Sequence, residues 1–118
     1  MSDADKQGAV AAAESWLALL DEKDFEGSWE TAAGLFRGAI SAKLWEESLE
    51  KAYGGVGRPQ SRVLDTADHK TELPGAPDGE YFILAYKTVF ENKENGIETV
   101  VLMMDTDERW HVSGYFVR

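Results

Sequence analysis

Two stretches decide the fold: Glu80–Phe90, EYFILAYKTVF, and Gly96–Asp105, GIETVVLMMD. Both alternate with the two-residue period of a strand, and both are apolar on two rows rather than one. In the first, Phe82, Leu84, Tyr86 and Phe90 share a face, with Tyr81, Ile83, Ala85 and Val89 opposite. In the second, Ile97, Thr99, Val101 and Met103 oppose Glu98, Val100, Leu102 and Met104. One row must meet other elements of the chain. The other must also find cover, from a bent-over end of the sheet or from a second subunit.

Working outward, the last stretch, RWHVSGYFVR, alternates as well, placing Trp110, Val112 and Phe116 opposite His111, Tyr115 and Val117. ENKENG and DTDE are short polar connectors of hairpin length, so these three strands predict an antiparallel meander. Upstream, SRVLDTADHKTEL alternates imperfectly and carries charges that discourage pairing with another chain, as an edge strand does. It joins the first central strand through LPGAPDG. Pro74 and Pro77 fix backbone angles there, and Gly75 and Gly79 supply turn conformations closed to other residues. The composition fits a structural corner, with a ligand-contacting loop as the second reading.

The first half of the chain has helical periodicity. Val10, Ala13, Trp16, Leu17 and Leu20 make one stripe on a helix expected over 4–21. Asp24 is positioned to cap a short helix through FEGSWETA, with Phe25, Ser28, Trp29 and Ala32 inward. AAGLFRGAI predicts one more helical turn and a connection, broken at Gly34 and Gly38. Ser41 is an N-cap for AKLWEESLEKAY, whose stripe is Leu44, Trp45, Leu49, Ala52 and Tyr53, and Gly54-Gly55 is the expected stop. GGVGRPQ then connects helix to strand and is too short to separate domains. The expectation is a single α+β domain over 1–118: a helical half, 4–54, packed on a curved four-stranded antiparallel sheet, 60–118.

Composition narrows the function classes. At 118 residues the chain can bury roughly 65% of its unfolded surface, enough for one core. It has 22 acidic and 12 basic residues, a net charge of −10. Such a chain repels phosphate backbones and anionic membranes, so nucleic acid is not an expected partner. No apolar run approaches the ~20 residues of a membrane span. Cysteine is absent, which removes disulfides, thiol nucleophiles and the usual zinc sites. The N-terminal MSDADKQGAVAAAES lacks the basic and apolar regions of a signal peptide. The compartment stays open: periplasmic or exported if a signal has been trimmed, otherwise cytoplasmic.

Taken together, AAESWLALLDEKDFEGSWETAAGLFRGAIS, LPGAPDGEYFILAYKTVFENK and ETVVLMMDTDERWHVSGYFVR resemble the bacterial domain-of-unknown-function family 4019 across nearly the whole chain. The resemblance implies the cystatin-like or nuclear-transport-factor-2-like α+β group, with helices cradled by a curved sheet, and bacterial origin. That fold group ranges from isomerases and dehydratases to binding modules, so fold does not settle function. The resemblance supplies no catalytic residue.

Candidate chemistry therefore rests on the residues alone. Glu98 lies inside a strand, in the row of Val100, Leu102 and Met104. If that row faces the helices, the acid is desolvated and suits a general base for cofactor-free proton transfer. The structural reading pairs it with Arg62, Arg37 or Arg118. Tyr86 and Tyr115 are hydroxyl donors for the same site, or core tyrosines with backbone partners. Trp16, Trp29, Trp45 and Trp110, with Tyr86, line an apolar ligand pocket or fill the core. His69 and His111 have no partners at metal-ligand spacing, Asp105, Asp107 and Glu108 do not form a calcium loop, and VSGYF is not a nucleophile elbow. No metal and no cofactor is expected. The expected functions are a non-catalytic module binding a small apolar ligand or a protein partner, a homodimer through the outer sheet face, and an isomerase- or dehydratase-type enzyme using Glu98.

Overall fold

The computed structural model describes residues 3–118. Four helices, α1 (Asp3–Asp21), α2 (Phe25–Glu30), α3 (Gly34–Ala39) and α4 (Ala42–Val56), precede four strands, β1 (Pro59–Lys70), β2 (Tyr81–Phe90), β3 (Lys93–Met104) and β4 (Trp110–Val117). The strands form an antiparallel meander in the order β1-β2-β3-β4, so the charged first strand is an edge. The sheet is curved and unclosed, and the α+β expectation holds.

The helices cover one face. The stripe on α1 buries Ala13, Trp16, Leu17 and Leu20 against the inward row of β2 and β3, where Leu84, Val100 and Leu102 are all inaccessible to solvent. Each such side chain is worth about 1.5–3 kcal/mol on burial. Both rows of β2 and β3 fall as the alternation predicts.

Helix ends follow side-chain chemistry. The Asp24 carboxylate accepts from the Gly27 amide at 3.0 Å and starts α2, and the Ser41 hydroxyl accepts from Leu44 N–H at 3.2 Å and starts α4. Two expected stops do not operate. Gly34 and Gly38 lie inside α3, because Phe36 stacks edge-on against Trp45 with centroids 4.9 Å apart and holds that turn helical. Gly54 and Gly55 continue α4, whose Tyr53 and Val56 pack on the core and offset the ~1 kcal/mol that each glycine costs. The stop is Gly57, at φ 81°, where a Cβ would lie 2.7 Å from Glu91. Leu44, expected in the apolar stripe, is exposed.

Two bulges correct the strand readings. Val101 pairs with Gly114 but Leu102 pairs with Val112, so Ser113 is an extra residue in β4. It reverses the parity of the strand. Trp110, Val112, Tyr115 and Val117 therefore share the inner face and Phe116 points out, where strict alternation had set Phe116 with Trp110 and Val112. Asp65 is the corresponding extra residue in β1, between the pairs Leu64–Tyr86 and Thr66–Ala85. ENKENG is not a loop: β3 begins at Lys93, leaving Glu91 and Asn92 outside the strands. The LPGAPDG corner is closed by Tyr81, whose hydroxyl donates to the Pro77 carbonyl at 2.6 Å.

The α2–α3 link is tied to the β3–β4 hairpin. Ala33 N–H donates to Val112 O at 2.8 Å, Gly34 N–H to the Asp105 carboxylate at 3.1 Å, and His111 Nδ1 meets Thr31 O at 3.0 Å. Amides of Thr106 and Gly34 lower the Asp105 pKa. Partial burial opposes charge on His111, but the Thr31 carbonyl and the Asp107 carboxylate outweigh it and raise its pKa. Stability from His111 is therefore present below the unfolded value of about 6.5 and lost as pH rises through the higher folded value. Stability from Asp105 is present above about pH 4 and lost on acidification. Denaturant unfolding followed from pH 3 to 9 should show the neutral-side fall vanish in His111→Gln and the acid-side fall shrink in Asp105→Asn.

Candidate functional site

Glu98 has no solvent exposure. Its inward position on β3 is set by alternation, and a buried carboxylate of this kind is tolerated only with partners. Four donors reach its two oxygens. Arg62 Nε donates to Oε1 at 2.7 Å and Nη2 to Oε2 at 3.3 Å. Thr88 Oγ1 donates to Oε1 at 2.7 Å, and the Tyr115 hydroxyl donates to Oε2. Arg62, Thr88, Glu98 and Tyr115 come from β1, β2, β3 and β4 in turn, so every strand contributes one side chain.

The helices complete the network. Arg62 makes a two-pronged contact with Asp21 at the end of α1, at 2.8 and 3.0 Å. Tyr53 of α4 lies 2.9 Å from the Tyr115 hydroxyl. Tyr115 spends its hydrogen on Glu98, so Tyr53 is the donor to Tyr115. Arg58 stacks its guanidinium 4.9 Å from the centre of the Tyr53 ring and donates to Leu20 O at 2.6 Å, closing the C-terminus of α1.

Of the three arginines that the sequence offers Glu98, Arg62 is its partner, while Arg37 Nε donates to Ala32 O at 3.1 Å. Thr88, Tyr53 and Asp21 were missed. Thr88 was legible in principle, as a hydroxyl in the row of Tyr86 and Phe90. Asp21 and Tyr53 carry no such signal, because they arrive from helices remote in sequence. With two donors on each oxygen, the Glu98 carboxylate cross-links all four strands.

The tryptophans divide. Ser28, fully buried, holds two of them: Trp16 Nε1 donates to its carbonyl at 2.8 Å and Trp45 Nε1 to its hydroxyl at 3.0 Å. Trp29 Nε1 donates to Ile40 O at 2.7 Å. Trp16 also stacks edge-on with Tyr115, centroids 5.4 Å apart. Trp45 and Trp29 belong to the helical layer. Trp16 and Trp110 meet at a groove of about 370 Å³ between α1 and β4, floored by Leu19 and Val112 and bordered by Arg109 and His111. Tyr86 stands apart from all four rings. It is buried on β2 and its hydroxyl has no hydrogen-bond partner among the described residues. Among the described residues no group of three His, Asp or Glu side chains converges as a metal set.

The outer face of the sheet is the other candidate surface. Val63 is 69% exposed and Phe116 61%, and Val89 is also exposed. The outward rows of β2 and β3, from Ile83 to Val89 and from Ile97 to Met103, carry one lysine, Lys87, and no carboxylate. A shallow depression of about 620 Å³ runs between Val63, Val89 and Ile97, with Lys87 and Glu94 on its rim. No helix among the described residues is long and apolar enough to cross a membrane.

These features define an α+β protein with a helical layer on one face of a four-stranded antiparallel meander and a buried ionic cross-link between the layers. The chain belongs to the family DUF4019, described as a protein of unknown function, whose model matches residues 12–115. The comparison with curated proteins finds no significant match, and the comparison with solved structures finds none.

The network makes two measurable demands. Glu98→Gln removes the counter-charge of Arg62 and leaves an amide NH₂ facing donors, so it should destabilise the fold by about 3 kcal/mol in denaturant unfolding. Burial raises the pKa of all four tyrosines, with Tyr53 and Tyr86 pushed up to about 12 and Tyr115 higher still beside Glu98. A raised value means stability present below the unfolded pKa of about 10 and lost as pH climbs through the folded values. Ultraviolet titration of the native chain should show less phenolate at pH 10 than the unfolded chain does, and most of the phenolate absorbance should rise together with unfolding.

Proposed function

We propose that the protein is a non-catalytic interaction module that pairs with a second copy of itself through the outer face of its sheet. The observation that carries this reading is the absence of carboxylates from the outward rows of β2 and β3 in a chain of net charge −10. Elsewhere the acidic surface repels an identical chain. Here the two central strands present apolar side chains and one lysine, Lys87, which lies 3.8 Å from Asp65 of β1, and the carboxylates of the face, Asp65, Asp68 and Glu94, stand outside these rows, so like-charge repulsion between copies is weakest at its centre. Lys87, 3.8 Å from Asp65, and Glu94 rim the same depression, and a two-fold axis through it would bring opposite charges of the two copies together. Strands about 30 Å long at about 4.8 Å spacing offer an area of the order of the ~800 Å² per partner that stable interfaces bury.

The four donors on Glu98 support a structural acid and weigh against cofactor-free proton transfer, which requires a lone pair open to substrate. A small apolar ligand, in the same reading of a binding module, fits the groove between Trp16 and Trp110. The net charge supports a partner other than nucleic acid.

Sedimentation equilibrium is the test. The expected mass is twice 13.1 kDa, and Val63→Glu or Val89→Glu should return the chain to 13.1 kDa with its unfolding midpoint changed little. A wild-type chain that stays monomeric at millimolar concentration would overturn the reading.

A further inference from the structure

A second site lies on the opposite side of the sheet, and it uses none of the outer-face residues. Glu14 and Leu17 of α1, Arg62 and Leu64 of β1, and Tyr86 of β2 wall a cleft of about 280 Å³ between the first helix and the edge strand. The Tyr86 side chain is 2% exposed, and its hydroxyl is the buried side-chain polar atom, among the described residues, that has no hydrogen-bond partner. Water-excluded hydroxyls without partners are costly, and phenylalanine would fill the same space without that cost. A hydrogen-bond donor reaching the hydroxyl from the cleft would offset that cost.

The charges around the cleft say what would use it. Arg62 is already matched twice, by Asp21 and by Glu98. Glu14 is exposed and forms no ion pair among the described residues, and after burial it is the charge that does most to raise the Tyr86 pKa. The one guanidinium in the cleft wall is thus already matched elsewhere, Glu14 is the charge of the wall left without an ion pair among the described residues, and the cleft favours a cation over an anion. Burial, with Glu14 adding to it, pushes the Tyr86 pKa up to about 12, so the phenol stays neutral and keeps a lone pair to offer. Leu17 and Leu64 supply apolar wall for a short hydrocarbon stem.

We infer that this cleft binds a small primary alkylammonium ion, with its N–H donors shared between the Tyr86 hydroxyl oxygen and the Glu14 carboxylate and its alkyl chain lying on Leu17 and Leu64. The volume admits a short linear amine and leaves no room for a macromolecular side surface. An N–H-bearing cation is specified over a quaternary one because the orphan group is a hydrogen-bonding hydroxyl. It is specified over a neutral alcohol because Glu14 is an unmatched charge.

The experiment is a titration of the ¹⁵N-labelled full chain with n-butylammonium chloride in an amine-free buffer, read by amide chemical shifts. Saturable shifts confined to Glu14, Leu17, Arg62, Leu64 and Tyr86 are expected. Tetramethylammonium, with the charge but no N–H, and n-butanol, with neither charge nor ammonium donors, should each bind at least about tenfold more weakly. Tyr86→Phe removes a group that no protein atom contacts by hydrogen bond, so it should fold as well as the parent and lose affinity about tenfold. Glu14→Gln, an exposed change, should lose as much. Absence of saturable shifts, equal binding of tetramethylammonium, or parental affinity in both variants would overturn the assignment. The Val89→Glu variant should bind as the parent does, so the result stands whether or not the chain pairs through its outer face.

Discussion

The structure depends on one buried carboxylate. Glu98 has given up all contact with water, and several kcal/mol of lost hydration must be returned by its neighbours. It recovers them from four donors, and those donors fix where everything else goes. A slip of any strand by one residue would turn that strand's contribution to the outer face and leave the acid short of a partner. Apolar side chains of similar size would fill the space with less demand on geometry. The ionic centre adds a penalty for every wrong register, and it does so in all four strands at once.

That demand explains the bulges. Tyr115 can face Glu98 only if β4 changes parity after Val112, and the extra residue Ser113 makes the change. The same residue exposes Phe116, so one irregularity both completes the buried network and leaves an aromatic ring on the outer face. Asp65 has the matching place in β1. It lets Arg62 and Leu64 face inward together with Ala67 and His69, which alternation across the strand would have divided.

The network is continuous with the aromatic core. Tyr115 touches Trp16 edge-on, Trp16 lies against Trp45, and both indoles are held by Ser28 at the centre of the helical layer. The two buried polar centres, Glu98 in the sheet and Ser28 in the helices, are thus bridged by rings in contact. Two surfaces stand out from this interior: the outward rows of β2 and β3, which carry no carboxylate of their own, and the cleft beside Arg62 at which the Tyr86 hydroxyl lacks a partner among the described residues. Both differ from their surroundings in charge or hydrogen bonding, not merely in shape.

Periodicity in the sequence determined the helix-then-meander architecture, the faces of β2 and β3, and the inward position of Glu98. These follow from local alternation, capping at Asp24 and Ser41, and hairpin-length connectors, all of which are short-range physics. Tertiary structure decided the rest. Helices α3 and α4 run through their glycines because Phe36, Tyr53 and Val56 gain more from packing than the glycines cost. The parity of β4 reversed because a bulge is invisible to a two-residue period. The partners of Glu98 were set by tertiary structure: Thr88 reaches its carboxylate directly, while Asp21 and Tyr53 reach its other partners, Arg62 and Tyr115, only when the helices close over the sheet. Charge pairing across such distances in the chain leaves no periodic trace, because it is set by which surfaces meet and not by which residues are neighbours.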